Sequence, residues 1–309
     1  MKVMIIGAAG RMGKELISLA KNGYAGTTAY LGVDAFSDDY PHTPAASGEI
    51  PDVIVDFSHA SAVDAVLDYA VANEIPCVIG TTGHNETQLA HIAKAAEHVP
   101  VFHSGNMSVG IAVLLQLAKQ ATRAFPDADI EIIEVHHKYK ADAPSGTALM
   151  LARAIEEVRP DARRVLGRSG QCKREKQDIG ISAVRMGNVV GEHKVCICTE
   201  SQTITLEHKA HTRALFAEGA LTAAAYIAKQ PAGLYDMQSM LADLNKEKDY
   251  ESSECGLRES RTRCGSRAHC RARHASRGHF HAPRSRECAK CIRRARISYG
   301  RAGGYGGRH

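Results

Sequence analysis

The chain has 309 residues, 44% of them hydrophobic and 24% charged, with a formal net charge of +5. That length and apolar content is enough for two domains around real cores, and excludes a wholly disordered or collagen-like chain. No apolar run approaches membrane-spanning length, so no spanning helix is expected. The charge is unevenly placed. Residues 249–309 hold 15 Lys+Arg and 5 Asp+Glu, a surplus of +10, whereas the preceding 248 residues are mildly acidic at −5.

Met1 to Ile6 is an apolar run suited to a buried parallel strand. The turn Gly7-Ala8-Ala9-Gly10-Arg11-Met12-Gly13 follows at once, and Lys14 to Ala20 has helical spacing. Strand, glycine turn and helix together are the setting a dinucleotide-binding turn requires. Glycines let backbone approach a pyrophosphate, which then sits at the helix N-terminus. Residues 28–33 read as a second strand ending in Asp34. An acidic side chain there accepts hydrogen bonds from the ribose hydroxyls of NAD and repels the extra phosphate of NADP. Ala35 offers no positive charge beside it, although Arg11 and Lys14 stand close in sequence. Binding of both NADH and NADPH is expected, with a lean to NADH.

Further strand and helix signals alternate. Residues 51–58 read as a strand, 60–73 as a helix, 76–79 as a strand, 85–97 as a helix and 99–102 as a strand. This is the pattern of a parallel, doubly wound α/β sheet. Ligands of such sheets bind beyond the carboxyl ends of the strands. The turns after Asp56, Ile79 and Phe102 are therefore expected to face the cofactor: Gly80, Thr81 and Thr82 in one, and Ser104, Gly105, Asn106 and Met107 in another.

A second unit follows, with a helix over 111–125 and a strand over 130–136. The strand leads into Glu134 to Ala148, which reads EVHHKYKADAPSGTA. His136 and His137 lie where the strand runs out, and Ser145-Gly146-Thr147 begins a helix over 145–158. A helix start offers free N–H groups and partial positive charge to a carboxylate. Lys140 adds a full charge, and a histidine moves protons near neutral pH. The combination suits an anionic substrate that needs a proton.

These residues carry a resemblance. The pattern E-x-H-H-x-x-K-x-D-A-P-S-G-T-A closely resembles the signature of the 4-hydroxy-tetrahydrodipicolinate (dihydrodipicolinate) reductase family, and every fixed position is met. Gly10-Arg11-Met12-Gly13, Gly180 to Arg185 and Val190 to His193 resemble the family as well. The resemblance implies NADH or NADPH as cofactor and a small dicarboxylate as substrate. It implies His136 as proton donor, Lys140 as its charged catalytic partner, and His137 with Ser145, Gly146 and Thr147 as carboxylate ligands. In the family the Gly80–Thr82 and Ser104–Met107 turns line the nicotinamide half, and Met107 replaces a usual phenylalanine. The activity implied is reduction of 4-hydroxy-tetrahydrodipicolinate to tetrahydrodipicolinate in the diaminopimelate route to lysine.

The second unit should continue as a polar, mobile loop over 159–178 and three strands at 180–186, 193–199 and 203–208. Together with the strand over 130–136 these make an open mixed sheet with helices on one face. An open sheet leaves a face and an edge to cover, which the resembled family does by forming a homotetramer. A helix over 213–227 and the segment Gly233 to Met237 should return to the first unit. The dinucleotide-binding domain is thus expected to be discontinuous, 1–107 with 213–246, around a substrate-binding and oligomerisation domain at 108–212.

The resemblance ends near Leu241, and residues 247–309 differ in kind, with one leucine, two isoleucines and no valine. They are expected to be disordered, or to be a coding frame read out of phase. Five of the nine cysteines are there, with a single CxxC at Cys288 and Cys291. A zinc site needs two compact ligand pairs, so no metal is expected. An arginine-rich arm could bind nucleic acid through phosphates, and a regulatory or nucleic-acid-binding protein is the alternative reading. Truncation after Leu244 separates the two, since only an enzyme keeps its activity. Nucleic acid is otherwise not an expected partner. Cys77, Cys172, Cys196 and Cys198 show no disulfide logic, and Cys196 and Cys198 should share one packed face of a strand. With a first strand opening at Lys2 and no leader expected, the compartment is read as the cytoplasm.

Overall fold

A computed structural model describes residues 1–244 and 246. Its first sheet is formed by β1 (Lys2–Ile6), β2 (Ala29–Val33), β3 (Val53–Asp56), β4 (Cys77–Ile79), β5 (Pro100–His103) and β11 (Gly233–Tyr235). All pairings are parallel, in the order β11-β5-β4-β3-β1-β2. Helices cover both faces, so both alternating sets of strand residues are buried. Val3, Ile5, Val53, Val55 and Val78 face α1 (Arg11–Lys21), α6 (Ala214–Ile227) and a helix over 237–244. Met4, Ile6, Ile54, Cys77 and Ile79 face α2 (Val63–Ala72) and α3 (Glu86–Ala95). This is why the strands read as continuous apolar runs. Each fully buried Ile, Leu or Val contributes about 1.5–3 kcal/mol.

The register aligns the strand ends. Ile6 pairs with Asp56, Asp56 with Ile79, and Ile79 with His103. The loops that leave β1, β3, β4 and β5 are thereby brought to one edge, although almost 100 residues separate the first from the last.

The second sheet has the order β10-β9-β6-β8-β7, from β6 (Asp129–His136), β7 (Arg163–Leu166), β8 (Asp178–Arg185), β9 (Gly191–Cys198) and β10 (Thr203–Ala210). β6 and β7 pair with β8 in parallel, while β9 runs antiparallel to β6 and β10. One face packs Ile130, Ile132, Ile181, Val195 and Ile197 against α4 (Val109–Ala124) and α5 (Gly146–Glu156). Glu131, Ile133, Val135, Lys194 and Cys196 point the other way and are only half-buried. The architecture is a Rossmann-type α/β domain with a second α+β domain built on an open mixed sheet.

Two expectations are corrected. Residues 159–178 are not a bare loop, because they contain β7. Three of the arginines there pair with buried or half-buried acids: Arg163 and Arg168 with Asp178, and Arg168 and Arg174 with Glu131. Charges that read as solvated polarity in sequence are cross-links in the fold. Cys196 and Cys198 do share a face, but it is the open one, and Cys198 is exposed. The basic tail, with the zinc, nucleic-acid and disorder readings placed on it, lies outside the described residues.

Candidate active site

Gly7 leaves β1 with a φ of +83°, and a Cβ on it would lie 2.6 Å from the Phe57 carbonyl oxygen. A Cβ on Gly13 would lie 2.1 Å from the Gly7 carbonyl oxygen. Both positions are therefore restricted to glycine by backbone crowding. The first makes the tight turn, and the second seats α1 against β1 with its N-terminus at the loop. Ala8 is buried, while Ala9, Gly10 and Arg11 lie towards solvent. Asp34 is nearly buried at the end of β2, and its carboxylate accepts from the Ala9 N–H at 3.0 Å and the Phe36 N–H at 3.0 Å. It braces the glycine turn. Glycine turn, helix start and acidic strand end fit a dinucleotide on the donor set of this chain itself.

The other turns stand along the same edge. Gly80 packs under the Phe57 ring, where a Cβ would come within 2.4 Å, and Thr81 is buried while Thr82 is exposed. Ser104 donates to the Asn106 carbonyl at 2.8 Å, and the Asn106 side chain accepts from the Ser108 N–H at 2.9 Å. Gly105 is open to solvent. The Met107 side chain turns into the first core, so only its backbone is offered to a ligand. Asp56, unassigned by the sequence, is fully buried at the end of β3. Burial raises its carboxyl above the ordinary value despite hydrogen bonds from Ser58.

The histidine loop is organised by Glu134, whose role the sequence did not disclose. It is fully buried, yet its carboxylate takes two hydrogen bonds of 2.8 Å from Arg185, one of 2.9 Å from the Ser145 N–H, and a 2.5 Å contact with His136 Nδ1. Burial alone would raise this carboxyl, but Arg185, His136 and Ser145 outweigh it and hold it below the usual range. His136, two residues on in the strand, shares its face. Burial lowers its basicity first of all, Glu134 opposes that, and the charges of Lys140 and Arg185 reinforce it. In the free protein the net effect is to disfavour the imidazolium.

His137 lies on the other side. With Arg11, Tyr139, Asn188, Val190 and Arg213 it lines a cleft of about 350 Å³. Both domains contribute to this cleft, through Arg11 of the glycine turn and His137 of the histidine loop. Lys140 forms an ion pair with Asp142 at 2.8 Å. Ser145 caps α5 by accepting from the Ala148 N–H at 3.2 Å. The space beside Gly146 is open, with nothing within 4 Å of where a Cβ would stand. Thr147 accepts at 2.9 Å from the Asn106 side chain, so the turn after β5 is tied to the start of α5. A turn of the first domain thus joins a helix start of the second.

Sequence models of dihydrodipicolinate reductase match this chain twice, the N-terminal domain over residues 1–107 and the C-terminal domain over residues 110–241. The chain belongs to the dihydrodipicolinate reductase family. The 4-hydroxy-tetrahydrodipicolinate reductase of Alkaliphilus metalliredigens is 44% identical over 245 residues, covering 78% of this chain and 99% of that protein. The enzyme of the same name from Clostridium novyi is 41% identical over 251 residues, covering 79% and 99%. A dipicolinate-bound dihydrodipicolinate reductase from Paenisporosarcina sp. TG-14 superposes with a TM-score of 0.61 at 26% identity, over 76% of this chain and 97% of that one. As a member of the family the chain is an oxidoreductase that uses NADH or NADPH. Among the described residues, no three His, Cys, Asp or Glu are placed to hold a metal ion. Nor is any described helix long and apolar enough to cross a membrane.

Proposed function

We propose that the chain reduces 4-hydroxy-tetrahydrodipicolinate to tetrahydrodipicolinate, in the diaminopimelate route to lysine, with the following division of labour. The glycine turn from Gly7 to Met12, with Asp34, holds the adenosine and pyrophosphate half of the cofactor. The Gly80–Thr82 and Ser104–Met107 turns hold the other half. When bound, the nicotinamide supplies the hydride. His136 supplies the proton, and a positioned acid of this kind contributes about 10²–10⁴-fold. Lys140, now paired with Asp142, turns to a substrate carboxylate and stabilises the negative charge that develops on the ring. His137, Ser145, Gly146 and Thr147 take the carboxylates, using the free N–H groups at the start of α5.

The observation that carries this reading is the placement of the Glu134–His136 pair directly against the Ser145 cap of an open helix start. A proton donor and an anion seat share one carboxylate as their anchor. The lowered basicity of the free His136 is consistent with the reading. A dicarboxylate arriving beside it adds negative charge, which favours the imidazolium when the proton is needed. Turnover of the freshly formed substrate, followed as NADH or NADPH oxidation, tests the activity. Competition by dipicolinate tests the seat. Absence of turnover with either cofactor by a folded protein would remove the proposal.

The half-buried open face of the second sheet supports assembly as a homotetramer in which other copies cover Ile133, Val135 and Val184. We place the enzyme in the cytoplasm, in keeping with the free thiols of Cys77, Cys172, Cys196 and Cys198. The domain division we adopt is 1–107 with 213–246 for the cofactor and 108–212 for the substrate.

A further inference from the structure

His193 of β9 is buried beside this site and has no part in the reading above. Its register neighbour on β6 is Glu134, and on β10 it is His208. Its Nε2 lies 3.1 Å from the Ser145 hydroxyl oxygen. Its ring meets the His136 ring edge to face, with centroids 5.1 Å apart and planes at 73°. Four residues thereby form a closed circuit. Glu134 binds His136, His136 packs on His193, His193 binds the Ser145 hydroxyl, and the Ser145 N–H returns to Glu134. Three members of the circuit, Glu134, His136 and Ser145, belong to the site as described. Only His193 closes it.

We propose that His193 is a positioning residue that fixes the proton donor and the carboxylate seat relative to one another, through its ring on His136 and its Nε2 on Ser145. The inference rests on the roles assigned above to His136 and Ser145. The Ser145 oxygen already accepts the Ala148 N–H as the helix cap, which leaves its own hydrogen free to be donated. An acceptor is what it then needs, and a neutral histidine with a bare Nε2 is one. His193 stays neutral because burial lowers its pKa to about 3, with His136, His208 and Lys140 adding positive charge around it and Glu134 opposing. Arg185, on β8, neutralises that Glu134 by a two-point bond. A histidine that burial keeps neutral can hold a neighbouring histidine that takes up and gives a proton.

Two substitutions separate the two contacts. His193→Phe keeps a ring against His136 and removes the acceptor for Ser145. It should raise substrate KM by about three- to tenfold, the worth of one hydrogen bond, and leave kcat within about threefold. His193→Gln places an amide near the old Nε2 position and removes the ring. It should keep KM and lower kcat by about tenfold or more, part of the whole acid contribution. NMR titration of the His136 ring provides a readout independent of turnover. Its midpoint should rise in His193→Gln, where water replaces the ring, and stay put in His193→Phe. Two folded variants that change only thermal stability, with KM, kcat and the His136 midpoint as in the wild type, would overturn the inference. If His136→Gln itself turned over normally, the proton-donor reading would fail instead, and the KM of His193→Phe would still decide the contact with Ser145.

Discussion

The Asn106 side chain donates to the Thr147 hydroxyl at 2.9 Å, joining a turn at the end of β5 to the first turn of α5. The same amide accepts the Ser108 N–H, so it also fixes the start of α4. The turn after β5 and the starts of α4 and α5 are coupled by one planar group. Asn106→Ala and Thr147→Ala should each raise substrate KM by roughly 2–10-fold, since one net hydrogen bond is worth about 0.5–1.5 kcal/mol. The double variant should be no worse than the poorer single one. A double-mutant cycle in KM measures this, and simple additivity would place the two residues in separate roles.

Removal of the proposed proton donor should act on the chemical step. His136→Gln is expected to lower kcat by at least about a hundredfold and leave NADH binding intact. Turnover within a few-fold of wild type would take the acid role from His136. The pH profile gives a second measure. In the proposed role the imidazolium is the active form, so activity should fall as pH rises through the His136 pKa. In kcat/KM, which reports the free enzyme, that fall should come below the usual histidine value, because burial lowers the free His136. In kcat it should move to higher pH, because bound carboxylates favour the cation.

Lys140 and Asp142 hold each other at 2.8 Å. Lys140→Ala should harm both kcat and KM, because the charge serves both carboxylate and developing anion. Asp142→Asn should leave kcat near wild type and alter KM by only a few-fold, since Asp142 is exposed and such a pair is of small net worth. Steady-state kinetics on the two variants tests this. Equal damage in both would mean that the ion pair itself is the working unit.

Asp34 accepts two backbone N–H groups, and in the proposed role its carboxylate also takes the ribose hydroxyls. Its loss should therefore weaken both cofactors, but NADH more, because the carboxylate repels only the extra phosphate of NADPH. Fluorescence titration of wild type and Asp34→Ala with each reduced cofactor should show an NADH preference that shrinks or reverses. A strong NADPH preference in the wild type would remove the discriminating role of Asp34 and leave the fold untouched.

Acid should loosen the second sheet through Asp178. The Glu175 N–H, then Arg163 and Arg168, hold its carboxyl at a pKa of about 2. A depressed folded-state pKa gives stability that is present above the unfolded value of about 3.9 and is lost as pH falls from there towards 2. Urea melts between pH 5 and 2 should show this loss, and Asp178→Asn should flatten it. An unchanged slope in that variant would assign the acid sensitivity to other carboxylates.

Local order along the chain was enough for much of this protein. The run from Met1 to Ile6, the glycine turn and the alternation of strands and helices dictated a doubly wound sheet, because both sheet faces must be buried and only apolar strands allow it. The spacing from Glu134 to Thr147 likewise put two histidines, a lysine and a helix start in one short segment. What the sequence could not state was which distant residues complete that segment. Arg185 and His193 read as ordinary strand residues, and become partners of Glu134, His136 and Ser145 only because β8 and β9 flank β6 in register. Arg163, Arg168 and Arg174 read as a solvated basic loop, since a charge pattern carries no record of the carboxylates that face it. Pairing across a sheet is set by the burial of whole faces, a long-range condition with no local signature. The second sheet therefore decided that a buried carboxylate, two histidines and a serine would close into one circuit.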